Sequence, residues 1–181
     1  MRFPPLRTAR LRLEPVTQDA ATAIVAGDLS GLTAGDGWPH EDTISGLSQA
    51  IESGSAAGWL VVAGDEVIGD CGTHGPADAA GSVEIGYGLA APYRGRGYGS
   101  ETVAAITAWL LAQPEVSRVR ARTAAGNLAS RRVLEKAGFR IAGDGAGDGA
   151  GAGDVNGGGP AGEHEIMYEH DAGERGPKGD Q

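Results

Sequence analysis

A glycine-rich turn with two arginines, YRGRGYGS at residues 93–100, is the segment of this 181-residue chain best suited to bind an anion. Its glycines allow close approach of the backbone to a ligand, and a helix is predicted over residues 100–112. Free N–H groups at the start of a helix, together with its dipole, attract phosphate groups. The turn lacks the Gly-Lys-Ser/Thr ending of a P-loop and fits the dinucleotide-binding pattern poorly. It predicts a phosphate site, with an ordinary turn as the alternative.

Four segments in this order carry a resemblance to a known family: TARLRL at 8–13, EIGYGL at 84–89, RGRGYG at 94–99 and NLASRRVLEKAGF at 127–139. Over residues 8–142 the chain resembles the GNAT superfamily of N-acetyltransferases. Within it, the chain is similar to the branch of ribosomal-protein N-terminal acetylases and related small-molecule enzymes. The resemblance implies acetyl-CoA as acyl donor. It also implies an α/β fold, with about four helices around a mixed, mostly antiparallel sheet splayed between its fourth and fifth strands.

The resemblance also indicates which residues would hold acetyl-CoA. A bulge at residues 86–88 would separate the two strands and expose backbone groups to the pantetheine arm. Backbone around Tyr87, Leu89 and Ala91 would hold the acetyl group and pantetheine. The pyrophosphate would meet the turn, at Arg94, Gly95, Arg96, Gly97, Tyr98, Gly99 and Ser100. Asn127 and Ser130 would contact the CoA arm, although Asn127 also suits a helix N-cap, and the two arginines also suit solvated loop positions.

Transfer to an amine requires a group that accepts the proton of the ammonium form. Glu84 is the first candidate, because the family often places a base on this strand, and the alternative is a substrate-binding or surface carboxylate. Asp70, Glu163 and Glu165 are further candidates, since neighbouring strands could bring them to the same cleft.

The departing thiolate requires a proton donor, and many family members use a tyrosine seven residues after the asparagine. Leu134 occupies that position here, so Ser130, which matches a serine proposed for this role in the related branch, becomes the candidate. A role in positioning CoA alone is equally open for Ser130. Backbone N–H groups that stabilise the developing oxyanion are expected to contribute more to catalysis than either of these roles of Ser130.

The charge distribution bears on the acceptor. Residues 13–93 contain twelve acids and no base, whereas residues 94–142 contain nine bases and three acids, in a chain of net charge −9. Because the first half forms most of the acceptor side in this family, we expect a cationic small molecule, such as an aminoglycoside antibiotic, kasugamycin-type compounds included, or a polyamine. A protein N-terminus is the alternative acceptor, and a non-catalytic acyl-CoA-binding regulator is a third possibility. The acceptor-side candidates are Trp38, His40, Asp70 and Glu84.

The elements that position these residues follow the order β-α-α-β-β-β-α-β-α-β-β in one domain of 181 residues. Residues 143–162 hold ten of the 32 glycines and are expected to form a flexible insert between the last two strands, and residues 172–181 a disordered tail. One cysteine, Cys71, excludes an internal disulfide, and the spacing of histidines and cysteine predicts no metal site. The sequence suggests no nucleic-acid or membrane partner, a cytoplasmic location, and a monomer or homodimer.

Overall fold

Eight strands form one mixed sheet in the computed structural model, which describes residues 3–54, 58–142 and 164–173. The strands are β1 Leu6–Arg7, β2 Leu11–Pro15, β3 Trp59–Ala63, β4 Glu66–Thr73, β5 Ser82–Leu89, β6 Arg118–Ala124, β7 Arg140–Ile141 and β8 Glu165–Asp171. Their order across the sheet is β1-β2-β3-β4-β5-β6-β8-β7. Every neighbouring pair is antiparallel except β5 and β6, which are parallel.

Four helices cover the two faces of this part of the chain: α1 Gln18–Val25, α2 Glu41–Glu52, α3 Tyr98–Leu111 and α4 Leu128–Lys136. The helices α1 and α2 pack with Leu60, Val62 and Val67 on one face of the sheet. The helices α3 and α4 pack on the other face, in a larger core that includes Trp59 and Ile85. No helix in the described ranges is long and apolar enough to cross a membrane.

The element order agrees with the expectation from the sequence, with three differences. The strand β1 was not predicted, because two residues are too short to show a period. The helix α3 begins at Tyr98, two residues earlier than expected, because Gly97 at φ 85° turns the chain directly into the helix. The third difference is the bulge expected at residues 86–88, which the regular register of β4 and β5 lacks. The predicted insert, the tail beyond residue 173 and Glu163 lie outside the described residues.

The parallel pair of β5 and β6 ends halfway along β5. It runs from Ser82 opposite Arg118 to Ile85 opposite Ala121. Beyond that point β5 stays paired with β4 as far as Leu89, and β6 stays paired with β8 as far as Ala124. The two strands therefore separate, and we call the gap between residues 86–89 and β6 the slot.

The bulge expected at residues 86–88 is absent, and that prediction was wrong. The register of β4 and β5 is regular throughout, and the described sheet has its register shift between Val61 and Val62 of β3 instead. Because β5 and β6 each keep an antiparallel partner on the far side, they can separate without an extra residue in β5.

Packing of α4 onto the sheet gives a stability prediction. Leu134 is 0% exposed and Leu128, on the same helix, is 56% exposed. We expect Leu134→Ala to lower the free energy of unfolding by about 3 kcal/mol, because it leaves a cavity in the core. Leu128→Ala is the matched control and should cost less than about 0.5 kcal/mol. Urea denaturation of both variants measures the difference, and similar losses would contradict the packing described.

Candidate active site

Backbone groups of β5 face the slot at alternate residues. The carbonyl of Glu84 accepts a hydrogen bond from the His74 N–H, and the Ala90 N–H donates to the Ile68 carbonyl, so even-numbered residues of this segment bond towards β4. The N–H and C=O of Tyr87 therefore point the other way, into the slot. An extended, amide-containing chain has the geometry to bond to them as an added strand.

The glycine-rich turn lies at the end of β5, after a 3₁₀ turn at Ala91–Tyr93. Gly95 and Gly97 have φ of 75° and 85°, values that L-residues with side chains rarely adopt. Gly97 caps α3 without any side-chain hydrogen bond, and the first N–H groups of a helix have no partner within it. The segment thus presents backbone donors and the positive end of a helix dipole, which suits a pyrophosphate.

A clamp that the sequence reading missed holds this turn against β2. Arg10 donates to the carbonyl of Arg96 at 2.9 Å and pairs with Glu101 at 2.6 Å. Glu101 also accepts hydrogen bonds from the Thr8 hydroxyl and the Arg10 N–H. Arg10 belongs to the strand-forming segment at residues 8–13, and no local pattern shows that it reaches α3, 91 residues away.

The two arginines of the turn have structural partners. Arg94 donates from Nε to the carbonyl of Leu89 at 2.7 Å, which ties the turn to the end of β5. The guanidinium of Arg96 lies 5.6 Å from the centre of the Tyr93 ring. Contact of either with a phosphate stays a prediction.

On the face of the sheet that α3 and α4 cover, the first turn of α4 contacts β5. Asn127 caps α4 by accepting the Ser130 N–H at 3.0 Å, as expected for an N-cap. The Ser130 hydroxyl lies 2.8 Å from the hydroxyl of Tyr87. Burial raises the pKa of Tyr87 to about 12, so this phenol is protonated at neutral pH.

Asp70 lies on the opposite face, on β4, one strand away from the slot. It is aligned with Gly88 on β5, and strand alternation places Gly86 and Glu84 on this same face. The two glycines leave a floor without side chains between Asp70 and the open edge of β5. Glu84 is four residues from Gly88, about 13 Å along the strand, so it and Asp70 cannot act together on one atom.

Glu84 also lies before the slot opens and is engaged by an arginine. Its carboxylate is 3.1 Å from Arg122, which also pairs with Glu165 at 3.6 Å. The arrangement places Glu84 and Glu165 together in one surface ion-pair group, away from Asp70.

Three of the predicted acceptor-side residues form one cluster, together with Thr43, which the sequence reading missed. The Trp38 indole N–H and the Thr43 hydroxyl both donate to Oδ2 of Asp70, at 3.3 and 2.5 Å. His40 caps α2 by accepting the Thr43 N–H at Nδ1. Trp38 is buried in the α1 and α2 core, so its ring packs as well as contacting Asp70.

Burial raises the pKa of the Asp70 carboxyl above its ordinary value of 3.8. The hydrogen bond from Thr43, the nearby His40 and the Trp38 N–H act in the opposite direction, and Asp42 adds a like charge. A partly buried carboxyl whose pKa is raised is a stronger base than an ordinary aspartate, and Asp70 lies one strand away from the open edge of β5.

Comparisons with known proteins agree on one family. A model of the acetyltransferase (GNAT) domain matches residues 10–140. An uncharacterized N-acetyltransferase of Bacillus subtilis, YjdG, is 30% identical over 149 residues, which cover 74% of this chain and 88% of that protein.

Solved structures share the fold. RimL, a ribosomal alpha-N-protein acetyltransferase in complex with coenzyme A, has a TM-score of 0.63 at 18% identity and covers 93% of this chain and 98% of its own. RimJ of Mycobacterium smegmatis, in complex with CoA-disulfide, has a TM-score of 0.59 at 22% identity and covers 93% of this chain and 86% of its own. At these identities the similarity is one of fold.

The raised pKa of Asp70 predicts a pH-dependent stability difference. When a carboxyl binds its proton more tightly in the folded state than in the unfolded state, the folded protein is stabilised at low pH. That stabilisation is lost as pH rises from the unfolded pKa through the folded pKa. The advantage of Asp70→Asn over wild type in free energy of unfolding should therefore grow between pH 4 and pH 7. Denaturation at both pH values measures it, with Asp65→Asn, whose side chain is 96% exposed, as control. A difference that is constant with pH would contradict the assignment.

Proposed function

The chain belongs to the GNAT family of acetyl-CoA-dependent acetyltransferases, and we propose that its acceptor is a primary amine of a cationic small molecule. Aminoglycosides, kasugamycin-type compounds included, and polyamines are the candidate classes. The observation that carries this proposal is the partly buried carboxyl of Asp70, which the glycine floor of β5 separates from the open edge of that strand. A carboxylate in that position attracts an ammonium group and is placed to take its proton.

The surroundings of Asp70 favour a positively charged acceptor. The chain from residue 13 to 93, which forms α1, α2 and β3 to β5, has twelve acids and no lysine or arginine. The helices α1 and α2 have no basic residue in their last turns. A ligand that approaches over these elements therefore meets a negative field, which concentrates cations.

Proton acceptance is assigned to Asp70 in preference to Glu84. Asp70 is aligned with Gly88, within the slot, whereas Glu84 precedes it and is paired with Arg122. The charged guanidinium of Arg122 contacts Oε2 of Glu84, whereas the two donors on Asp70 are uncharged and both contact Oδ2. We assign Glu84 and Glu165 to a different role. They would bind a second amine of a polycationic acceptor, away from the amine that reacts.

On the CoA side, acetyl-CoA supplies an activated acetyl thioester. The first N–H groups of α3 would bind its pyrophosphate, and the slot edge at Tyr87 would bind its pantetheine amides. The Tyr87 N–H is also placed to donate to the thioester carbonyl as negative charge develops on that oxygen.

The hydroxyls of Tyr87 and Ser130 lie on the opposite face from Asp70, next to the same strand edge. We assign them to the leaving sulfur, as hydrogen-bond donors. The high pKa of Tyr87 keeps its phenol protonated across the working range of pH. The position seven residues after Asn127 is the fully buried Leu134, so α4 contributes no phenol there.

A protein N-terminus is the second candidate acceptor. The similarity in fold to RimL and RimJ supports it, since RimL is a ribosomal alpha-N-protein acetyltransferase. An α-amino group on a peptide is also a cation near neutral pH and would reach Asp70 over the same glycine floor.

Thiol release from acetyl-CoA across a panel of aminoglycosides, polyamines and N-terminal peptides tests the acceptor. We expect turnover and a mass gain of one acetyl group on an aminoglycoside or a polyamine, with little turnover of peptides. Turnover of peptides alone would reject the small-molecule proposal and leave the charge asymmetry without a role in the acceptor choice.

The choice of base predicts unequal effects of two isosteric variants. Asp70→Asn should lower kcat/KM by roughly 100-fold or more, because it removes the proton acceptor. Glu84→Gln should cost less than about fivefold, the scale of a surface ion pair. Initial rates with the best acceptor of the panel measure both. A larger loss in Glu84→Gln than in Asp70→Asn would assign the base to Glu84 instead.

A further inference from the structure

Thr43 connects two residues of the acceptor side through one buried hydroxyl. It lies in the first turn of α2 and is 1% exposed. Its Oγ1 is 2.5 Å from Oδ2 of Asp70 and 3.2 Å from Nδ1 of His40. The hydroxyl therefore has two partners and a single proton to donate.

The N-cap of α2 determines the tautomer of His40. Its Nδ1 accepts the Thr43 backbone N–H at 3.2 Å, so Nδ1 carries no proton and neutral His40 carries its proton on Nε2. Nε2 is buried and has no hydrogen-bond partner among the described residues. Nδ1 is consequently an acceptor only, for the amide and for the hydroxyl of the same threonine.

This geometry satisfies both protonation states of Asp70. When Asp70 is ionised, the Thr43 O–H donates to Oδ2. When Oδ2 carries a proton, that O–H donates to Oγ1 of Thr43, and the threonine hydroxyl rotates to donate to Nδ1 of His40. Only the hydroxyl turns, and the proton stays on Asp70. In each state Oδ2 of Asp70 and the Thr43 hydroxyl keep a hydrogen bond to each other, and the loss of such a buried bond would cost free energy.

We propose that Thr43, oriented by His40, is a positioning residue that lets Asp70 take up and release the proton of the acceptor amine. The inference rests on the proposed function, since it requires Asp70 to be the proton acceptor. In the reaction, the amine nitrogen forms a bond to the acetyl carbon and the C–S bond breaks. The sulfur leaves with the electron pair of that bond. The ammonium gives one proton to the Asp70 carboxylate before the attack, and Asp70 releases it to solvent. The nitrogen gives a second proton to Asp70 as the amide forms.

The other groups that face Asp70 are few. The Trp38 indole N–H donates to the same oxygen and has one fixed direction, so it favours the ionised state alone. Asp42 on α2 and Cys71 on β4 are the neighbouring acids, and His40 is the nearby base. Burial raises the pKa of the Cys71 thiol well above its usual value, so Cys71 stays neutral. Among the described residues that donate a hydrogen bond to Asp70, only Thr43 does so through a rotatable hydroxyl.

The test is the titration of Asp70 in the full chain, followed by NMR of ¹³C-labelled aspartate carboxyls and assigned with Asp70→Asn. In Thr43→Val the midpoint of Asp70 should rise by about one pH unit, because the hydrogen bond to the ionised state is lost. Thr43→Ser should restore the wild-type midpoint, since it retains the hydroxyl. The carboxyl of Asp65, 96% exposed, serves as the internal reference.

The same variants are then compared in pH profiles of kcat with the best acceptor. Thr43→Val should lower kcat roughly tenfold, with a smaller change in KM, and should move the acidic limb to higher pH. Thr43→Ser should recover most of kcat and the position of the limb. His40→Asn retains an oxygen that accepts both hydrogen bonds but removes the imidazole that lowers the pKa of Asp70, so the NMR midpoint should rise by less than in Thr43→Val.

An Asp70 midpoint that is the same in Thr43→Val and wild type would overturn the inference, as would equal losses in the valine and serine variants. Thr43→Ala takes the place of the valine variant if the latter does not fold. The NMR titration needs no acceptor, so it separates two failures. Unchanged kinetics in Asp70→Asn would reject Asp70 as the base, while an unshifted midpoint rejects Thr43.

Discussion

The proposed acetyl-CoA site lies where the parallel strands β5 and β6 separate. The strands β5 and β6 pair only as far as Ile85 and Ala121, and each continues beside its own antiparallel partner. The backbone N–H and C=O of Tyr87 point into the slot. The glycine-rich turn at the end of β5 and the start of α4 after β6 lie at its two sides. Loss of this separation would remove the site even if every side chain were kept.

The slot also divides the chemistry between two faces of the sheet. Strand alternation puts Asp70 and the glycine floor on the α1 and α2 face, and Tyr87 with Ser130 on the α3 and α4 face. Proton acceptance from an amine and stabilisation of a leaving sulfur are opposite demands, and two groups of opposite character meet them best when they do not contact each other. Burial raises the pKa of the Asp70 carboxyl above its ordinary value and raises the pKa of Tyr87 to about 12. In the proposed mechanism, burial would thus strengthen Asp70 as a base and keep the Tyr87 phenol protonated as a hydrogen-bond donor.

Local sequence signals predicted those parts of the site that depend on local geometry. Gly95 and Gly97 at positive φ and Asn127 as an N-cap are properties of a few adjacent residues, and their sequence gives them directly. The pairing of Glu84 with Arg122 was not predictable in the same way, because it depends on the register between β5 and β6. The predicted bulge was wrong for a related reason, since the separation of the strands depends on their outer partners and not on the residues of β5.

Thr43 was missed because nothing in its own sequence distinguishes it from any threonine in the first turn of a helix. Its importance depends on the packing of α2 against β4, which brings it to Asp70, 27 residues away.

Amide hydrogen exchange, resolved by residue and measured with and without CoA, tests the role of the slot. We expect CoA to slow exchange at Tyr87 and in the first turn of α3, and to leave the even-numbered amides of β5 unchanged. Slowing confined to the turn at residues 94–100, with Tyr87 unaffected, would contradict the account of the slot as the pantetheine site.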